Sequence, residues 1–147
     1  MNKILFVAMD GTICEFHDYK ENRILMDDFE PGFFLNKKPL KSILYVIENE
    51  YKDYTKIALS SSPSDNADIE KEQWLKNQGL NWLHIFLRYP SNDKSVAVFN
   101  FIKINNIEPS NITIIDNDLK VLRACEKMGV TCIHPSHLLV KYEEQHD

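Results

Sequence analysis

Several side chains in this sequence could act together on one small anionic ligand: carboxylates at Asp10 and Asp116, an amide at Asn117, hydroxyls at Ser60, Ser61 and Ser62, and an ammonium at Lys94. Oxygen donors such as Asp10, Asp116 and Asn117 suit a hard divalent cation. Serine hydroxyls donate to phosphate oxygens, and a lysine offsets the charge on a transferring phosphoryl group. Each residue also has an ordinary use. Asp116 after a β-branched run can cap a helix, three consecutive serines can make a turn, and Lys94 can open a solvated helix. What joins them is their order, because each follows or closely trails a short apolar run.

Those runs are Ile4 to Val7, Ile57 to Leu59, Ile85 to Leu87, Ile112 to Ile115 and Val130 to Ile133. Helical patterns separate them. Leu40, Ile43, Leu44, Ile47 and Tyr51 recur at helical spacing after Pro39, and 67–78, 95–105 and 119–128 are rich in helix formers, with Gly79 and Gly129 as stops. The alternation predicts an α/β fold, a Rossmann-like three-layer sandwich with a parallel five-stranded sheet and helices on both faces. In open parallel sheets, ligands bind beyond the carboxyl ends of the strands, where strand order reverses. Ala8 to Thr12, Ser60 to Pro63, Arg88 to Lys94 and Asp116 to Asp118 occupy those ends.

Residues 15–37 break the rhythm, with acidic pairs, aromatics and a Pro-Gly turn but no sustained period. A loop this long in a compact domain suggests a small cap or lid after strand one. Phe16, His17, Phe33 and Phe34 are its candidate substrate contacts, since aromatic faces stack on nucleobases; the alternative is that the aromatics fill the core.

The segment ILFVAMDGT resembles the first motif of the haloacid dehalogenase-like hydrolase superfamily, a hydrophobic strand followed by Asp-x-Asp-Gly-Thr, with Ala8 where the first Asp belongs. IALSSS resembles the second motif, Lys94 in SNDKS the third, and ITIIDND the fourth, so the likeness spans nearly the whole chain in the family's order. Within the superfamily the sequence looks most like the 5'(3')-deoxyribonucleotidase group, in AMDGTICEF, PGFF before Lys-Pro, SSP after strand two, the QWL helix and the NDKS lysine. The resemblance implies a magnesium-dependent phosphomonoester hydrolase acting on a small phosphorylated metabolite, a (deoxy)nucleoside monophosphate first, through an aspartyl-phosphate.

Carried over, position 8 is the nucleophile and a metal ligand. Asp10 protonates the leaving oxygen, later activates water, and offers its main-chain carbonyl to the metal. Ser61, with Ser60 or Ser62 beside it, holds phosphoryl oxygens, as do Asp10, the amides around Gly11, and Lys94, which also offsets transition-state charge. Asp116 completes the metal site, with Asn117 reaching it through water.

Alanine has no lone pair for phosphorus and no oxygen for magnesium, so the phospho-aspartate route is closed while position 8 is Ala8. Either an Asp→Ala change was made to trap a substrate, or this is a natural non-catalytic protein that holds a nucleotide or phosphate as a sensor. A phosphoryl-accepting receiver domain would need an acceptor aspartate where Arg88, Tyr89 and Pro90 follow strand three.

The remaining composition narrows the class. At 147 residues the chain fits one domain, and such a length buries about two thirds of the surface an unfolded chain exposes. A net charge of −5 disfavours nucleic-acid polymers and anionic membranes as partners. Asp10 interrupts the first apolar run before a signal-peptide core forms, and Cys14, Cys125 and Cys132 lack metal or redox spacing, so a reducing, cytoplasmic setting is expected.

Overall fold

The computed structural model describes residues 2–16 and 30–146. Among them, β1 (Lys3–Val7), β2 (Tyr54–Ser61), β3 (Leu83–Leu87), β4 (Ile112–Ile115) and β5 (Thr131–Ile133) form one all-parallel sheet in the order β3-β2-β1-β4-β5. The central strand, β1, is paired on both edges and covered on both faces, so Ile4 to Val7 are all buried. A strand enclosed in this way reads as an unbroken apolar run. Leu5 and Val7 join one core cluster while Ile4 and Phe6 join the other, as the two-residue repeat of a strand requires.

Helices α1 (Lys41–Glu50), α2 (Asp65–Asn77), α3 (Lys94–Asn105), α4 (Leu119–Glu126) and α5 (Pro135–His146) supply the outer layers. Ile43 and Ile47 of α1, Trp74 and Leu75 of α2 and Leu138 of α5 pack with Leu5 and Val7. Val98 of α3 and Leu122 and Cys125 of α4 pack with Ile4 and Phe6. The expected three-layer sandwich is what forms.

Several elements differ from the sequence pattern, three of them instructively. First, α2 starts earlier because the Ser64 side chain accepts the Ala67 N–H at 3.2 Å, with Asp65 and Asp68 in the first turn. Second, β2 runs on through Ser60 and Ser61, which pair in register with Phe86 and Leu87 of β3. The third difference is a whole element: α5 was not anticipated beyond Ile133, although Pro135 suits a first helical position and His134 Nδ1 accepts the Ser136 N–H at 3.2 Å.

The chain winds outward from β1 through β2 to β3, then crosses back to lay β4 and β5 on the other side. Strand order therefore reverses beside β1 and β4, and a crevice opens past their carboxyl ends. Among the described residues, no helix is long and apolar enough to cross a membrane.

Candidate functional site

Beyond Val7, the Ala8 N–H donates to the Ile115 carbonyl at 2.9 Å, which extends the β1–β4 ladder and brings Ala8 beside Asp116. The chain then turns tightly. The N–H groups of Thr12 and Ile13 donate to the Met9 carbonyl at 3.0 and 2.9 Å, and the Gly11 N–H donates to Cys14 O at 2.8 Å. Gly11 sits at φ +77, and a Cβ there would lie 2.6 Å from Asn117 Nδ2. Only glycine combines that backbone with so close an approach. Thr12 Oγ1 lies 3.4 Å from Asn117 Oδ1, so the turns after β1 and β4 pack against each other.

On the β4 side, Asp116 is buried. Its Oδ2 accepts from Lys94 Nζ at 3.0 Å and its Oδ1 from the Asp118 N–H at 2.9 Å. Lys94 is the first residue of α3, so the helix start delivers the ammonium to the strand end. Lys94, Ser61, Ser95, Asn92, Asp118 and Lys120 line a polar cleft of about 410 Å³ between the starts of α3 and α4.

Asp10 has more partners than the sequence indicated. Its Oδ1 is 2.6 Å from Lys37 Nζ and its Oδ2 is 3.7 Å from Lys71 Nζ, both ammoniums being almost wholly buried. Cys14 Sγ lies 3.6 Å from Asp10 Oδ1. Burial by itself would push the Asp10 carboxyl up, but the charges of Lys71 and Lys37 and the Lys37 hydrogen bond outweigh it and hold the group below the usual carboxylate range. Lys71 is pushed down to about 8, because burial and the like charges of Lys37 and Lys94 exceed the attraction of Asp10.

Helix α2 holds this arrangement in place. Lys71 Nζ also donates to Ser60 Oγ at 2.9 Å and to the Ser61 carbonyl at 2.6 Å. One turn along, Trp74 Nε1 donates to the Lys37 carbonyl at 2.8 Å. The Glu70 carboxylate accepts the N–H groups of Gly32, Phe34 and Leu35 at 2.9, 3.0 and 3.2 Å, which fixes the turn that leads into Lys37.

Of the residues expected at the site, Ala8, Asp10, Ser61, Asp116 and Asn117 lie at or just past the ends of the neighbouring strands β1, β2 and β4, Lys94 is bonded to Asp116, and Ser61 and Lys94 line the polar cleft. Others are placed differently. Strand alternation turns Ser60 toward α2, where its hydroxyl accepts from Lys71 and donates to the Ser61 carbonyl, so it is not open to a phosphate. Ser62 is buried, with its N–H donated to the Leu87 carbonyl. The Gly11 amide is likewise occupied within its own turn, so it contributes backbone shape rather than a free donor. Phe34 is buried, with the ammoniums of Lys37 and Lys71 at 5.6 and 4.9 Å from the centre of its ring. Phe33 packs edge-on against Phe34, and Phe16 is 63% exposed at the edge of the first turn. His17, and most of the expected lid, lies outside the described residues.

The sequence carried one overlooked signal for Lys71. Ala67, Lys71, Trp74 and Leu75 share one buried helical stripe, and a lysine in such a stripe needs a carboxylate partner. Lys37 had no comparable signal, because its contact with Asp10 depends on the Glu70-anchored turn.

The Asp10 carbonyl, the Asp116 carboxylate and the Asn117 amide are hard oxygen donors, so in kind they fit magnesium. In number they fall short, since Ala8 adds no oxygen and, among the described residues, no three His, Cys, Asp or Glu side chains cluster as a metal site.

Comparison with known proteins gives the fold. No protein-family model matches the chain, and no curated protein sequence matches it. Solved structures do. A haloacid dehalogenase-like family hydrolase from Streptococcus pneumoniae superposes with a TM-score of 0.60 at 10% identity, over 96% of this chain and 90% of that one. The D,D-heptose 1,7-bisphosphate phosphatase of B. bronchiseptica, complexed with magnesium and phosphate, gives 0.62 at 10% identity over 88% and 78%. A haloacid dehalogenase family enzyme from Bacteroides thetaiotaomicron, also with magnesium and inorganic phosphate, gives 0.58 at 11% identity over 91% and 94%. The chain has the fold of haloacid dehalogenase-like hydrolases.

Proposed function

We propose that the strand-end crevice is the site of a magnesium-dependent phosphomonoester hydrolase of the haloacid dehalogenase-like type, and that the chain with Ala8 holds its ligand without turning it over. The observation that supports this is the placement of Asp10, Ser61 and Asp116 at or just past the ends of the neighbouring strands β1, β2 and β4, with Lys94, at the start of α3, bonded to Asp116. Magnesium and phosphate in the similarly folded phosphatase and in the Bacteroides enzyme support it. Ser61 and Lys94 would hold the phosphoryl oxygens, and Asp116, the Asp10 carbonyl and Asn117 would face the cation, which supplies charge for the leaving and attacking oxygens. The ligand is a small phosphorylated metabolite in the cytoplasm, a (deoxy)nucleoside monophosphate first, supported by the nucleotidase-like motifs and the exposed ring of Phe16.

The test is to restore the nucleophile. The Ala8→Asp variant should release phosphate from a member of a panel of nucleoside monophosphates and sugar phosphates, and only with magnesium present. A variant that binds no magnesium and releases no phosphate from any compound overturns the enzyme reading.

A second reading, a natural sensor that binds without turnover, is favoured by the 2.6 Å contact between Lys37 and Asp10. An ionised carboxylate has no proton to give a leaving oxygen. Under this reading, nucleotide titration gives equal affinities for the chain and for its Ala8→Asp form, and neither turns over.

A further inference from the structure

Lys71 sits where a charge is costly. It is 2% exposed, on the buried stripe of α2 with Ala67, Trp74 and Leu75, and a methionine of similar length could fill that space without desolvating an ammonium. Its contacts account for the lysine. Lys71 Nζ donates to Ser60 Oγ at 2.9 Å and to the Ser61 carbonyl at 2.6 Å, both at the end of β2, and it faces Asp10 Oδ2, in the turn after β1, at 3.7 Å. An ammonium has three N–H groups and no acceptor, so two are taken by one strand end and the third is left for the other. The Ser61 hydroxyl, by contrast, lies at the polar cleft, 3.5 Å from the Asn92 carbonyl. One buried side chain thus grips both the main chain that carries Ser61 and the carboxylate of Asp10.

We propose, resting on the phosphate site above, that Lys71 is a positioning residue: without touching the ligand, it ties the end of β2 to the turn after β1 and so holds the Ser61 hydroxyl where it meets a phosphoryl oxygen. Its grip falls on the Ser61 carbonyl, so its effect on the ligand passes through the Ser61 side chain. Ser60 is the second part of the tether, since its hydroxyl accepts from Lys71 and donates to the Ser61 carbonyl at 3.2 Å. A packing role, or a charge acting at a distance, would not depend on the Ser61 hydroxyl.

Calorimetric titration of the full chain with inorganic phosphate in millimolar magnesium, run as a double-mutant cycle, decides the matter. Ser61→Ala and Lys71→Met should each weaken phosphate binding about tenfold, and the double variant should bind scarcely more weakly than either, because the lysine then has no hydroxyl to place. Ser60→Ala keeps the charge and loosens the tether; it should weaken binding about threefold, and lose that effect in the Ser61→Ala background. Losses that multiply to about a hundredfold in the Lys71→Met, Ser61→Ala double variant, or an unchanged affinity in Lys71→Met, overturn this inference and leave the phosphate site standing. An unmodified chain that binds no phosphate removes both. If Lys71→Met fails to give a cooperative melt, the cycle of Ser60→Ala with Ser61→Ala decides by the same rule.

Discussion

Replacing Asp10 with asparagine keeps the shape of the side chain and removes a carboxylate that faces two buried ammoniums. Removing one partner of a buried ion pair costs about 3–5 kcal/mol, since it strands the other charge away from water. Two features lower the figure here. The Asp10 side chain is 19% exposed, and Lys71 keeps its hydrogen bonds to Ser60 and Ser61. The expected loss is about 2–4 kcal/mol, a large share of the roughly 5–15 kcal/mol that separates folded from unfolded states. At about 3 °C per kcal/mol for a chain of this size, the melting point should fall by about 6–12 °C. Urea unfolding followed by tryptophan fluorescence suits the measurement, because the Trp74 indole is bonded to the Lys37 carbonyl. The midpoint should drop with an unchanged slope. In the Asp10→Asn background, Lys37→Met should cost about 1–3 kcal/mol less than in the unmodified chain. A loss under about 1 kcal/mol with additive single changes would refute the idea that Asp10 anchors the lysines.

Two further outcomes follow from the same contacts. Glu70→Ala strands three N–H groups in the turn before Lys37, and should cost about 2–3 kcal/mol and speed limited proteolysis within 30–36, read by mass spectrometry of the first cleavage products. The Asp10 carboxyl is held below the usual carboxylate range, so the stability it contributes is whole above about pH 4 and is lost as pH falls through the folded-state value; urea midpoints between pH 7 and pH 3 should fall less steeply for Asp10→Asn than for the unmodified chain.

Much of the arrangement was legible because an enclosed parallel sheet writes its strands as apolar runs, and the chemistry then falls at their ends. Ala8, Asp10, Lys94 and Asp116 were placed past the strand ends this way. The serine register was not, because Ser60 to Ser62 looked like a turn; only the pairing of Ser60 with Phe86 and Ser61 with Leu87 makes the first two strand residues with opposite faces. The α5 helix escaped for a different reason. Its apolar positions are few, and its start is capped by a histidine rather than by a usual capping residue. Lys37 lies furthest from any local rule, since its place beside Asp10 is set by Glu70 and Trp74 some three dozen positions along the chain.

Position 8 bears on more than the nucleophile of the proposed reaction. An aspartate there would sit beside Asp116 and two residues from Asp10, adding a like charge to the cluster. Like charges raise one another's pKa, so the Asp10 carboxyl would hold a proton more readily than it does beside an alanine. Under the proposed function, alanine at position 8 would therefore lack the attacking group and also favour the ionised form of Asp10. Both halves of the proposed chemistry would respond to one side chain. Restoring Ala8→Asp therefore asks a sharper question than whether a nucleophile is present. If Lys37 and Lys71 still keep Asp10 ionised against the added carboxylate, the variant will bind phosphate with magnesium but release product slowly. If the added charge prevails, turnover returns at a rate set by how much of Asp10 is protonated.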